Sequence, residues 1–219
     1  MQDGQFDLFD SAGLGHAAPS PILPPRDATP PAADLTDEAL IAAIPDARQT
    51  TCHALAGEAA RRRLVAAVPA LEVLCRRFKG FGLRFAVPEQ AAALQALAAI
   101  GGADAAVAVS RIVTGEVVSG PGQREAVRAA AALRCLLPEP IAAAWLLHVD
   151  PEIRAQACRC APRTAQVATL LVSLLEDLNQ GVAIAAAKAL GRIGRPEARP
   201  WLIRSLCQNP DAELIDAVT

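Results

Sequence analysis

A unit of about 30 residues recurs through the second half of this 219-residue chain and constrains its fold more than any other feature. Each copy opens on a turn dipeptide and continues into an alanine-rich stretch. The openings lie 29 or 30 residues apart, at Gly120-Pro121, Asp150-Pro151, Asn179-Gln180 and Asn209-Pro210. A fixed period of this length is typical of stacked helical pairs, in which each unit buries its apolar face against its neighbours. The period therefore predicts an all-α, right-handed α-solenoid.

The composition agrees with closely packed helices. Hydrophobic residues make up 53% of the chain but aromatic residues only 3%, so the core must consist of Ala, Leu, Val and Ile. Ala and Leu are strong helix formers. Proline and glycine punctuation then predicts five helix pairs: 47–60 with 63–78, 88–100 with 104–118, 123–137 with 140–148, 151–160 with 164–178, and 180–193 with 196–208.

The two ends of the chain differ from the repeats. Residues 1–33 contain six prolines between positions 19 and 31, which predicts a disordered tail. A domain of helical repeats is expected over 34–219, with Thr36 as the N-cap of a first helix that ends at Pro45. Residues 211–218 resemble the first helix of a further pair, so either this helix is a terminal lid or the solenoid continues beyond it.

One stretch of the last pair carries a family resemblance. Residues 189–198 read Ala-Leu-Gly-Arg-Ile-Gly-Arg-Pro-Glu-Ala, and residues 96–101 repeat its start with Ala98 in place of the first glycine. The stretch resembles the phycobilisome-lyase-type HEAT-like repeat, and the resemblance covers residues 88–219. It implies stacked helix pairs. It leaves function open, because such repeats occur in bilin lyases, DNA-binding proteins and adaptor scaffolds.

A short motif lies near the N-terminus, where the sequence reads Gln5, Phe6, Asp7, Leu8 and Phe9. It resembles the bacterial sliding-clamp-binding motif and departs from it at Phe6, where leucine is usual. The resemblance implies that Leu8 and Phe9 fill an apolar pocket while Gln5 forms hydrogen bonds at its rim. The alternative is that these apolar side chains fold back onto the protein's own helices.

Residues 76–85 concentrate positive charge and aromatic rings. They hold four basic residues, Arg76, Arg77, Lys79 and Arg84, and three phenylalanines, Phe78, Phe81 and Phe85. Such a pattern is able to hold a phosphate backbone while rings stack on bases. The alternative is a linker whose phenylalanines fill the core at an irregular junction and whose arginines are solvated. The second interpretation is favoured, so nucleic-acid or partner contact here is the weaker hypothesis.

The sequence indicates no catalytic or metal site. Cys158 and Cys160 lie two apart on a predicted helix and do not face each other, and Cys52-His53 has no companion at zinc spacing. No apolar run reaches the ~18 residues of a membrane span. We therefore expect a cytoplasmic protein with free thiols, no cofactor and no enzymatic activity. Its expected role is a protein-interaction scaffold whose second helices, including 104–118 and 164–178, line a concave surface. The alternatives are a sliding-clamp-tethered adaptor of DNA replication or repair and a bilin-lyase-like subunit.

Overall fold

The computed structural model describes residues 31–208, and in that range the chain is helical without strands. The predicted tail, apart from its last three residues, and the predicted helix at 211–218 lie outside the described residues. The helices are α1 (Asp37–Ala43), α2 (Cys52–Arg61), α3 (Val68–Arg77), α4 (Pro88–Ile100), α5 (Gly102–Thr114), α6 (Gln123–Ala132), α7 (Glu139–Leu146), α8 (Pro151–Arg159), α9 (Ala165–Ser173), α10 (Gln180–Ile193) and α11 (Ala198–Gln208).

The helices form a stack of pairs, as the period predicts. The first helices of successive pairs, α2, α4, α6, α8 and α10, pack against one another in chain order. Among the second helices, α3 packs against α5 and α7 against α9. Each unit therefore leans on its neighbours in sequence, and the predicted all-α solenoid of HEAT-like pairs is confirmed.

Small aliphatic side chains fill the space between the two helical layers. Leu71, Leu94, Leu97, Ile112 and Leu190 are fully buried, and alanines of the first helices are buried beside them. Alanine has a short side chain, so helices that pack through alanine are able to approach closely. The core thus has the composition that the aromatic-poor sequence predicts.

Side chains cap the starts of several helices, and the predicted cap Thr36 is one of them. The Thr36 hydroxyl accepts a hydrogen bond from the Ala39 backbone N–H at 3.3 Å, and Asp150 caps α8 through the Glu152 N–H at 2.9 Å. Asn179 caps α10 in the same way. Pro88 and Pro151 occupy the first helical position, where the missing N–H of proline is not needed.

Three helices end at a non-glycine residue in the left-handed conformation, which the sequence does not predict. Arg63, Glu116 and Arg134 adopt left-handed backbone conformations with φ of 51°, 50° and 54°. In each case the next residue donates its N–H to a carbonyl five positions back, for example Val117 to Ile112 at 3.1 Å. This is the Schellman arrangement, which usually employs glycine at the left-handed position.

These terminations correct several predicted bounds. The helices predicted to run to Val118 and to Leu137 end at Thr114 and Ala132, because the left-handed residue reverses the chain. Arg63 terminates α2 instead of opening the next helix. The helix predicted from residue 47 begins at Cys52, because Thr51 and Arg48 exchange two hydrogen bonds in a turn ahead of it.

Candidate partner-binding groove

Segment 79–87 joins α3 to α4, and a buried glutamine fixes its two ends. Gln90 is 2% exposed and lies in the first turn of α4. Its side-chain Nε2 donates to the backbone carbonyls of Cys75, Phe78 and Val117 at 3.2, 3.2 and 3.1 Å. One amide therefore ties the end of α3 and the loop after α5 to the start of α4.

The loop between α5 and α6 braces the middle of the same segment. The Ser119 hydroxyl donates to the carbonyl oxygen of Phe81 at 3.0 Å. Gly120 has a φ of +54°, and a Cβ atom there would lie 2.6 Å from the carbonyl oxygen of Leu83. Only glycine permits this approach. Segment 79–87 is thus a loop without regular structure that is held in one place.

The braced segment presents large apolar side chains to solvent. Phe81, Leu83 and Phe85 are 62%, 76% and 81% exposed, while Phe78 is half-buried and meets Phe81 edge to face at 6.1 Å between ring centroids. The alternative that all three phenylalanines fill the core is therefore wrong for Phe81 and Phe85. Neighbouring exposed apolar side chains of this size are typical of interaction sites.

These side chains line a groove at the edge of the solenoid where consecutive pairs are joined. One section, of about 470 Å³, lies between segment 81–87 and the start of α4. A second section, of about 580 Å³, is lined by residues 120–125 and 148–150. Ala86 lines both sections, and Val149, 89% exposed, lies on the wall of the second. We call the two sections together the inter-repeat groove.

Two of the four predicted basic contact residues, Arg76 and Arg77, form contacts within the fold, and Arg76 does so through Glu72. Arg76 and Arg111 both donate to the carboxylate of Glu72, at 3.0 and 2.6 Å, so that α3 and α5 are joined through one acid. Burial alone would raise the pKa of Glu72, but the hydrogen bonds from Arg111 and Arg76 outweigh it, and the pKa is lowered.

Arg77, the second of these residues, contacts the backbone that follows α1. Its guanidinium donates to the carbonyl oxygens of Pro45 and Ala47 at 2.6 and 2.5 Å and lies 4.7 Å from the centroid of the Phe78 ring. Lys79 and Arg84 are exposed, and within residues 31–208 neither forms an ion pair. Of the four basic residues, only these two present their charge to solvent without such a contact.

The second helices offer a less continuous apolar surface. Val73 on α3, Val107 on α5, Val172 on α9 and Ile203 on α11 are exposed, but each is the single large aliphatic residue exposed on the described part of its helix. Singly exposed aliphatic residues are common on protein surfaces. The largest exposed apolar side chains lie in the inter-repeat connections instead.

The cysteines are free and mostly buried, as predicted. Cys207 is exposed and the other five are buried, with no disulfide. Burial raises the pKa of the Cys75, Cys158 and Cys160 thiols to about 12, so these thiols stay protonated at neutral pH.

Among the described residues no cluster of His, Cys, Asp and Glu is arranged to hold a metal ion. In the same part of the chain no helix has the length and apolarity of a membrane span.

Sequence reasoning missed Gln90 and Glu89, which shape the groove. A signal for Gln90 was present, because it lies three, four and seven residues before Ala93, Leu94 and Leu97 and therefore shares the buried face of α4. A polar residue at a core position needs partners, and here these are backbone carbonyls. The Gln5–Phe9 motif lies outside the described residues.

Comparison with known proteins supports the fold. A family model described as HEAT repeats matches residues 139–219. The crystal structure of an engineered protein aligns with 84% of this chain and 94% of its own, with a TM-score of 0.54 and 21% identity, a likeness that shows the fold alone. No curated protein matches this chain. HEAT-type repeats generally act as protein-interaction scaffolds, and the chain has their architecture.

Proposed function

We propose that this chain is a non-catalytic protein-interaction scaffold that binds an extended segment of a partner protein in the inter-repeat groove. The exposure of Phe81, Leu83 and Phe85 on a braced segment carries the proposal. A preorganised apolar surface binds without the entropic cost of ordering its own loop. The groove is favoured over the face of the second helices because its exposed side chains are larger and adjacent.

The ionisable side chains of the groove do not suggest catalysis. In the first section the lining residues with charge are Arg84 and Glu89. In the second, Arg124 is paired with Asp150, Glu125 is paired with Arg128, and His148 accepts the Asp150 backbone N–H at Nδ1. Neither section pairs a nucleophile with a base in the way that covalent catalysis needs. This arrangement supports a binding role.

Selection of peptides from a displayed library on the purified protein tests the proposal. We expect the selected peptides to lose at least about tenfold in affinity for a Phe81→Ser, Phe85→Ser variant, since aromatic anchors carry much of the energy of an interface. The matched control is Val73→Ser, Val107→Ser on the second helices, which should bind as the wild type does. Equal binding to the groove variant, with loss in the control, would place the site on the second helices instead.

A second candidate function rests on the motif Gln5–Phe9 and its resemblance to sliding-clamp ligands. The motif would tether the scaffold to DNA replication or repair machinery. A five-residue peptide buries little area, so we expect affinity in the micromolar range, about −8 kcal/mol or weaker. Calorimetric titration with the clamp of the same organism should show binding that a Leu8→Ala, Phe9→Ala variant lacks. Equal heats from both proteins would reject the motif.

Two further readings have direct tests. A bilin-lyase-like subunit, which the repeat type permits, would attach pigment to an acceptor protein during co-expression with a bilin source, and we expect no colour.

Nucleic-acid contact through Lys79 and Arg84 would retard DNA or RNA in a gel at low salt and weaken steeply as salt rises. A Lys79→Glu, Arg84→Glu variant should abolish that shift, whereas Arg76 and Arg77 are unsuitable for the test because both support the fold.

A further inference from the structure

Glu89 differs from the other buried polar side chains of the described residues. Those are Glu58, Glu72 and Gln90, and each has named partners: Arg61 and Arg62, Arg76 and Arg111, and three backbone carbonyls. Glu89 is 7% exposed, yet within residues 31–208 its carboxylate makes no hydrogen bond or ion pair. Since no side-chain nitrogen or oxygen atom of the described residues is fully buried without a partner, the carboxylate oxygens of Glu89 reach solvent and are open to a ligand.

Glu89 lies at the start of α4 and on the wall of the groove. It is the second residue of α4, where the positive end of the helix dipole favours an acid. It lines the first section of the inter-repeat groove together with Phe81 and Phe85. The pKa of the nearby Cys52 thiol is raised first by burial and then by the negative charge of Glu89.

We propose that this section of the groove is a binding site for a lysine or arginine side chain of the partner segment. The carboxylate of Glu89 pairs with the cationic head, and the rings of Phe81 and Phe85 cover its alkyl stem and guanidinium face. Arg77 already packs over Phe78 in this way at 4.7 Å. Arginine fits better than lysine because its planar head accepts both a ring face and two carboxylate oxygens. The inference rests on the proposed function, because it names the chemistry of that partner.

Arg84 carries the charge opposite to that of Glu89 in the same section of the groove. It also lines the first section, is exposed, and does not approach Glu89 within ion-pair distance. Its charge opposes an incoming cation. Removal of Arg84 should therefore strengthen the binding of a basic peptide, whereas it would weaken the binding of an acidic peptide or of nucleic acid.

Three probe peptides of the same length test the site. Each is acetylated and amidated, with leucines on both sides of a central arginine, citrulline or glutamate; citrulline keeps the shape of arginine without its charge. Titrations followed by NMR should show the arginine peptide binding the wild type about tenfold more tightly than the citrulline peptide. Glu89→Gln should remove that difference. Arg84→Gln should increase the affinity for the arginine peptide.

The Glu89→Gln variant offers a second readout, its thermal stability, which does not depend on peptides. Glu89→Gln keeps the shape of the side chain and loses only the favourable interaction of its charge with the helix dipole, so its melting temperature should stay close to that of the wild type. A clear drop would mean that the carboxylate already has a stabilising partner, and the inference would fall.

The possible results distinguish failure of the cation site from failure of the proposed peptide-binding groove. Equal binding of the arginine and citrulline peptides, both lost in the Phe81→Ser, Phe85→Ser variant, would overturn the cation site and leave the apolar groove. Tightest binding of the glutamate peptide would likewise overturn the cation site in favour of Arg84 and Lys79. Peptides that fail to bind the wild type at all would overturn both proposals.

Discussion

Buried polar side chains act as joints between the helices of this solenoid. Glu72 holds Arg76 of its own helix and Arg111 of α5, and Gln90 holds the ends of two connections. Arg62, 18% exposed, pairs with Glu58 at 2.6 Å and donates to the carbonyl oxygens of Ala33 and Leu35. Because each joint satisfies several groups at once, removal of one member leaves the others unpaired.

Glu58 makes the stability of the fold sensitive to acid. Hydrogen bonds from Arg61 and Arg62 lower its pKa to about 2, against an ordinary value of 4.5. The folded pKa is depressed, so this stabilisation is fully present above about pH 4.5 and is lost as the pH falls toward 2. Urea unfolding between pH 7 and 2.5 should show a decline that is shallower in Glu58→Gln. Identical declines in both proteins would contradict the role of this carboxylate.

Gln90 is expected to be the polar residue whose loss most disturbs the groove. In Gln90→Leu the carbonyl oxygens of Cys75 and Phe78 keep the backbone N–H groups of Phe78 and Phe81, but that of Val117 loses the donor that the structure gives it, and we expect a loss of about 1–3 kcal/mol in unfolding free energy. Gln95→Leu is the matched control on the same helix, since Gln95 is exposed and, among the described residues, its side chain bonds only Glu125, at 3.3 Å. That control should change stability by less than about 0.5 kcal/mol. Similar losses in the two variants would show that the carbonyls do not depend on Gln90.

At the scale of elements, helix bounds were predictable where local chemistry marks them. The bounds of 88–100 and 180–193 were predicted to the residue, because Pro88 opens α4, and α10 ends at Gly194 in the left-handed conformation. The ends at Thr114 and Ala132 were not predictable from propensity, since Glu116 and Arg134 adopt the conformation expected of glycine. Burial of the following Val117 and Cys135 accounts for these turns, and that burial depends on neighbouring helices.

The candidate groove was only partly predictable for the same reason. The concentration of charge and aromatic rings at 76–85 is visible in the sequence, and it marks the segment that lines the groove. Which rings are exposed depends on contacts of Ser119 and Gly120, which lie more than 30 residues away. The engagement of Arg77 likewise depends on the carbonyl oxygens of Pro45 and Ala47, 32 and 30 residues away, whereas the partner of Arg76 is Glu72, four residues before it on the same helix.

The contact between segment 79–87 and the loop after α5 depends on one glycine. Gly120→Ala introduces a Cβ atom against the carbonyl oxygens of Gly82 and Leu83 at a φ of +54°, and we expect a loss of at least about 1 kcal/mol. Gly191→Ala is the matched control, because no atom lies within 4 Å of its added Cβ in α10. It should stabilise by about 0.5–1 kcal/mol. Chemical unfolding of both variants measures the difference, and effects of equal sign would contradict the close approach.

At the scale of the whole molecule, stacking makes stability local. Each pair contacts chiefly its neighbours, so a defect at one end should loosen that end before the rest. Leu190 is fully buried in α10, which packs on α8 and α9. Leu190→Ala removes about 2–5 kcal/mol of packing energy. Hydrogen exchange should then accelerate in α8 to α11 while α2 to α4 keep their protection. Uniform acceleration would indicate a single cooperative unit.

The most direct test of the scaffold account is a hydrogen-exchange footprint of the protein with a library-selected peptide bound. We predict slower exchange in residues 81–89, 120–125 and 148–150, which hold most of the residues that line the inter-repeat groove. The exposed faces of α3 and α5 should exchange as in the free protein. Protection confined to those second helices, or absent from the groove, would contradict the account.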